Sequence, residues 1–305
     1  MMDNTPDAEP QVRHVYDFSR LDRAPEGSTS LQVTPKRLLS GATLETGKSS
    51  TVGAVLTGRS IVCTLGRQSA GTGAKAHSHP NEQFNYILQG TMMSDVEGDR
   101  VFARKGCILH TPGAVVHTGL ACPDEDLVFF AIKDTRHGIV GPPVDGKYDG
   151  PNCFPGFGSR AHEPRISTGQ AMEEAKTLPP GPGKRYVYDM RVLHDENAGR
   201  TCSAAVIADG ALSLPHGVSG KLLTGERLHV CVLTLEPRAR ISNFRADNEQ
   251  LVFVAEGEIE AMLEDDPLTV AQYSVLHIPP GKPHELEAPQ GATIVIAQDR
   301  GVAPA

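Results

Sequence analysis

The stretch His77-Ser78-His79-Pro80-Asn81-Glu82-Gln83-Phe84-Asn85-Tyr86-Ile87-Leu88-Gln89-Gly90 decides how this chain is read. His77 and His79 stand two apart, so on an extended strand both imidazoles leave the same face. Pro80 and Asn81 suit a turn, and Gln83 opens the next strand, whose apolar run ends at Gly90. Farther on, after Pro112-Gly113, a strand carrying His117 can return beside the first two. Three imidazoles and one amide oxygen converging inside a barrel make a four-point metal site with room for water or substrate. One strand histidine alone is usually satisfied by a hydrogen bond. The four positions together point to ligation.

The pattern is written twice. Val15-Tyr16-Asp17-Phe18 recurs as Val187-Tyr188-Asp189-Met190, and Leu56-Thr57-Gly58 as Leu223-Thr224-Gly225. Asn81-Glu82-Gln83 recurs as Asn248-Glu249-Gln250, Gly90 falls on Gly257, and His110-Thr111-Pro112 meets His277-Ile278-Pro279. From Gly53 onward most pairs share the offset of 167 residues that separates His117 from His284. Ordered matches at one offset indicate duplication. The units expected are a first barrel over 11–135 and a second over 185–305, after a disordered 1–10. Residues 136–184 read as a Gly/Pro-rich connector with a short helix from Thr168 to Lys176, long enough to serve as a lid over a barrel mouth.

Both units read as all-β. Val128–Ile132 and Thr293–Ala297 look like buried strands, and Glu97-Gly98-Asp99 and Glu264-Asp265-Asp266-Pro267 are turn signals between runs. Short strands at regular spacing mean a sandwich or barrel.

With these residues in place, the chain resembles the cupin superfamily. The first cupin motif is His-x-His, a short gap, then Glu or Gln seven residues before a glycine, as in His77, His79, Gln83 and Gly90. The second is matched by Gly106, Pro112 and His117. The resemblance implies a bicupin: two double-stranded β-helix (jelly-roll) barrels in tandem, with the metal motif intact in the first only. It implies a divalent transition metal on His77, His79, Gln83 and His117, with iron expected first and manganese, nickel, cobalt or zinc as alternatives. Many cupins carry a carboxylate where Gln83 stands. A neutral set leaves the ion its full charge, which makes it a stronger Lewis acid. Such sets resemble those of non-redox cupins, including cyclases, lyases and an isomerase, while neutral three-histidine sets also occur in iron dioxygenases of the superfamily.

Along the strand from Gln83, Asn85 and Ile87 should share its inward face, where Asn85 either orients substrate, as the candidate catalytic residue, or satisfies backbone at the rim. Phe84, Tyr86 and Leu88 should face outward and pack between sheets or subunits. Cys63 and Cys107 read as buried structural thiols. Glu82 and His110 recur as Glu249 and His277 in the other unit, which favours a shared structural role. In that unit His77 falls on Phe244 and His79 on Ala246, so Gln250 and His284 are left as two neutral ligands too few for a divalent ion. The second barrel therefore reads as a scaffold or dimerisation unit.

A net charge of −8 with no basic run argues against nucleic acid or an anionic membrane as partner. Met1–Asp7 lacks the basic patch and apolar core of a secretory signal, and no run is long enough to span a membrane. Six scattered cysteines without a Cys-x-x-Cys fit free thiols in a reducing cytoplasm. The expected function is a metal-dependent enzyme acting on a small organic molecule, foremost a non-heme iron dioxygenase of an aromatic or dicarbonyl compound. A non-redox isomerase, lyase or cyclase is the alternative, and a ligand-binding or sensing bicupin without turnover is the third reading. A homodimer formed through outer strands is expected, since open barrel edges tend to be covered.

Overall fold

A computed structural model describes residues 12–21, 28–38, 47–191, 201–207 and 213–301; the expectation of disorder over 1–10 lies outside them. The chain runs β1 (Val15–Asp17), β2 (Gln32–Leu38), β3 (Val52–Thr57), β4 (Ile61–Gln68), β5 (Thr72–His77), β6 (Gln83–Gln89), β7 (Thr91–Val96), β8 (Asp99–Arg104), β9 (Cys107–Thr111), β10 (His117–Ala121), β11 (Leu127–Asp134) and β12 (Asn152–Cys153). Helix α1 (Thr168–Ala175) follows, opened by a capping box between Ser167 and Gln170. Then come β13 (Val187–Asp189), β14 (Ala205–Ile207), β15 (Val218–Thr224), β16 (Leu228–Leu235), β17 (Ala239–Arg245), β18 (Gln250–Leu263), β19 (Asp266–Ala271), β20 (Ser274–Ile278), β21 (Pro283–Ala288) and β22 (Ala292–Asp299). The fold is all-β, two jelly-roll barrels in tandem.

In the first barrel, a five-stranded sheet β12-β5-β10-β7-β8 faces a seven-stranded sheet β13-β9-β6-β11-β4-β3-β2. The hairpin from β7 to β8 turns on Glu97 and Gly98, both at positive φ, as a two-residue turn matched to strand twist requires. Gly90, at φ 77°, breaks β6 from β7 so that the chain crosses between sheets. Its counterpart Gly257, at φ 81°, lies inside the single long strand β18, which serves both faces of the second barrel.

The outward faces of the two barrels form one core. Phe84, Tyr86, Leu88 and Phe130 pack with Val230, Leu251, Phe253 and Val295. The Phe130 and Phe253 rings stack at 4.0 Å. This explains why β11 is buried on both sides: Phe130 faces the other barrel, while Phe129 and Ala131 face its own interior. Cys63 lies in the shared core and Cys107 among the apolar side chains of the first barrel, both as free thiols.

The repeated Val-Tyr-Asp strands cross over. β1 pairs antiparallel with β20 of the second barrel, and β13 pairs with β9 of the first. Each tyrosine is buried and ties its hydroxyl to backbone. Tyr16 donates to Arg13 O at 2.9 Å and accepts from Leu31 N at 2.7 Å; Tyr188 donates to Arg185 O at 2.9 Å and accepts from Ala204 N at 3.0 Å. Among the described residues, no helix is long and apolar enough to cross a membrane.

Candidate metal centre

Strands β5 and β10 lie side by side with His77 paired directly to His117. β5 ends at His77, so the two-residue spacing does not put both first-motif histidines on one extended strand. His79 stands beyond it, in the loop that Pro80 bends, and reaches the same point from there. The ring centroids of His77 and His117 are 4.3 Å apart, those of His79 and His117 4.8 Å, and those of His77 and His79 5.6 Å. One nitrogen from each ring falls within 4.8 Å of the others, and all three residues are buried.

The second nitrogen of each ring is already engaged. His77 Nδ1 lies 2.7 Å from Lys75 O, His79 Nδ1 2.8 Å from Asn81 O, and His117 Nδ1 2.9 Å from Val115 O. Donation to these carbonyls puts the proton on Nδ1 and the lone pair on Nε2, the tautomer a metal ligand needs. His117 Nε2 is buried with no hydrogen-bond partner among the described residues. Burial, together with the neighbouring cation of Lys133, pulls the pKa of His77 down to about 4. His79 falls to about 3 from burial and then Lys133, and His117 is lowered by burial and by His77 and His79. All three are therefore neutral imidazoles. An orphaned buried lone pair on His117, beside His77 and a His79 nitrogen that lies 2.9 Å from Lys133 Nζ, is a setting into which a divalent cation fits.

A cavity of about 50 Å³ opens beside the rings, lined among others by His77, His117, Gln83, Asn85, Phe129 and Lys133. Gln83 begins β6 and donates through Nε2 to Asn85 Oδ1 at 2.7 Å, which leaves the Gln83 carbonyl oxygen free of that bond. Asn85 is buried, with its amide toward Met92 sulfur at 3.9 Å.

Lys133 is the residue that sequence reading missed. The run Val128–Ile132 reads as a buried strand, and the lysine looks like its solvated end. Period-two alternation through Phe129 and Ala131 instead carries it into the barrel. Its side chain is buried, with Nζ 2.9 Å from His79 Nε2 and also bonded to Ile139 O. Burial brings its pKa down to about 7. Among the described residues, no carboxylate lines the cavity.

Residues 137–144 of the connector pass over this cavity. Ile139 and Val140 line it, Lys48 Nζ donates to Val140 O at 3.1 Å, and Val144 N donates to Ala76 O at 2.8 Å. The second barrel differs. Its interior is filled by Val252, Ile259, Leu286 and Ile294 among others, and Gln250 donates to Gln298 Oε1 at 3.0 Å. Among the described residues, the only group of three or more metal-ligating His, Cys, Asp or Glu side chains drawn this close is His77, His79 and His117.

Residues 52–133 match the family model described as "Cupin domain". No curated protein matches the chain. Solved structures do match in fold. Oxalate decarboxylase OxdC of Bacillus subtilis aligns at TM-score 0.59 and 12% identity, over 95% of this chain and 79% of that one. Salicylate 1,2-dioxygenase of Pseudoaminobacter salicylatoxidans, in its adduct with gentisate, aligns at TM-score 0.53 and 15% identity, over 79% and 68%. AerE of Microcystis aeruginosa aligns at TM-score 0.52 and 11% identity, over 82% and 92%. At such identities the likeness concerns the fold. The family match falls on the barrel with the three histidines: residues 52–133 carry a cupin domain, and the chain as a whole shares the two-barrel fold of these structures.

Proposed function

We propose that this bicupin is a metal-dependent enzyme acting on a small, oxygen-bearing organic molecule at the first barrel. The observation that carries this reading is the set of three buried imidazoles, each with Nδ1 tied to a carbonyl and Nε2 turned to one point. His77, His79 and His117 hold the ion, with the Gln83 amide oxygen as fourth ligand. Iron is the metal we assign, ahead of manganese, nickel, cobalt or zinc. When bound, such an ion supplies Lewis acidity and, as iron, oxygen activation.

The protein's own groups do the remainder. Asn85, fixed by Gln83, orients the substrate's second oxygen. Ile139, Val140 and Phe129 keep water from the reacting centre. A cavity of about 50 Å³ admits a few water-sized groups, so the reacting end of a dicarbonyl fits, while an aromatic ring requires residues 137–144 to move aside. Within this reading, the metal barrel is built mainly from 11–135 and the supporting barrel mainly from 185–305, each completed by a strand from the other half. Oxidative cleavage of a dicarbonyl or aromatic compound is the reaction favoured, in keeping with a neighbour named as a dioxygenase.

Lys133 favours a second reading, non-redox isomerase or lyase chemistry. Its amine lies in the cavity wall, 2.9 Å from a ligand ring, where it can hold a proton beside a bound carbonyl. Metal analysis of protein purified without added metal, then oxygen uptake with ferrous iron and β-diketones, catechols or hydroxybenzoates, tests both. Uptake supports oxygenation, and product formed without uptake supports the second reading. Metal content unchanged in His77→Ala and His117→Ala variants would sink the enzyme proposal.

A further inference from the structure

Two blocks singled out by the repeat, Leu-Thr-Gly and Asn-Glu-Gln, meet in space across the barrels. The Glu82 carboxylate, 1% exposed, leaves its own barrel and accepts the backbone N–H groups of Glu226, Arg227 and Leu228, each at 2.7 Å. Reciprocally, Glu249 accepts N–H groups of Arg59, Ser60 and Ile61 at 2.9, 2.8 and 3.0 Å. Each carboxylate also faces a histidine of its own barrel, His110 at 3.4 Å and His277 at 2.9 Å. The glycines explain the other half of the repeat. A Cβ on Gly225 would stand 2.1 Å from Glu82 Oε2, and one on Gly58 2.4 Å from Glu249 Oε1. Only a residue without a side chain lets the carboxylate settle onto these loops.

The two clamps are alike in chemistry but not in what adjoins them. Glu82 lies between Asn81, whose carbonyl receives His79 Nδ1, and Gln83 at the cavity. Its own N–H donates to Asp134 Oδ2 at 3.0 Å, and Asn81 Nδ2 donates to Asp134 O at 2.8 Å. Arg136 joins Asp134 to Glu226 of the second barrel, through bonds of 2.8 and 3.0 Å. The turn that carries two of the four candidate ligands is thus fixed from outside its own barrel. Glu249 adjoins no such ligand set.

We propose that Glu82 is a positioning residue for the metal centre, through which the second barrel sets the turn bearing His79 and Gln83. This rests on the metal reading above, and it gives the second barrel a role that needs no metal of its own. The two clamps form an internal control. Metal-free protein is titrated with Co²⁺, whose visible absorption reports coordination, in wild type, Glu82→Gln, Glu249→Gln and His117→Ala. Both glutamine variants lose a buried charged acceptor, so both should melt earlier by similar amounts. Cobalt affinity should fall about tenfold or more in Glu82→Gln, the usual cost of losing an outer partner of a ligand, and stay within about twofold in Glu249→Gln. Gly225→Ala against Gly58→Ala repeats the contrast should a glutamine variant fail to fold. Equal loss in both clamps, or no loss in Glu82→Gln while His117→Ala abolishes binding, overturns the positioning role and leaves the metal site standing. Wild type that takes up no more cobalt than His117→Ala removes the metal site, and the positioning role with it.

Discussion

Glu249→Gln has a second use, because the pH dependence of its cost can be worked out in advance. Burial opposes ionisation of this carboxyl. The hydrogen bond from His277 and the amides of Ser60 and Arg59 overcome that penalty, and they draw the pKa down from 4.5 to about 2. Between those values the unfolded chain binds a proton that the folded chain does not, so stability falls as pH falls. The full contribution is present above pH 4.5 and is gone once pH passes below about 2. At about 1.4 kcal/mol per pH unit, the shift amounts to roughly 3 kcal/mol. Glutamine does not titrate and turns a donor toward the loop amides. The variant should therefore unfold with about 3 kcal/mol less stability than wild type at pH 7, a gap shrinking to about 1 kcal/mol at pH 3. Urea unfolding followed by circular dichroism at both pH values measures it. A gap that stays constant from pH 7 to pH 3 would refute the reasoning, since the loss would then come from shape and not from charge.

Three further outcomes are expected. Ferrous or cobalt ion at a hundredfold excess over its dissociation constant should stabilise the protein by about 2.7 kcal/mol, reversed by chelator and absent in His117→Ala, as read by thermal melting. Phe130→Ala removes a ring stacked on Phe253 between the barrels and should cost about 3–5 kcal/mol in urea unfolding; less than 1 kcal/mol would mean the two barrels do not share a core. Gly141→Ala would bring a Cβ to 1.8 Å from Ser78 O, so residues 137–144 should lift and become cleavable in limited proteolysis, while cobalt affinity stays within about threefold of wild type.

What could be read in the sequence followed from its local rules. Period-two patterning and the repeat gave two all-β barrels, and the motif histidines His77, His79 and His117 form a cluster that the structure brings within 4.8 Å, with His79 reaching it from a loop and not from the strand its spacing suggested. The outward set Phe84, Tyr86 and Leu88 was legible for the same reason, and it packs against the second barrel. Lys133 was not legible, because a lysine ending an apolar run looks like a solvated end until the strand's phase is known. Nor was the exchange of β1 and β13, since Val-Tyr-Asp reads the same whichever edge it joins. The reciprocal clamps were half visible: Glu82 and Glu249 stood out as a pair, but carboxylates bonded to backbone amides leave no signature at the receiving end except a glycine.

The crossing of β1 and β13 bears on how this chain came to be and how it can be cut. Each barrel is finished by a strand that the other half of the polypeptide supplies. Severing the connector would not yield two independent proteins, only two halves that complement each other when mixed. A single unit would have to meet the same need by trading strands with a second copy, and the tandem repeat keeps that trade within one molecule. With both strands on one chain, the two barrels can differ in what fills them, three clustered histidines in one and packed aliphatic side chains in the other.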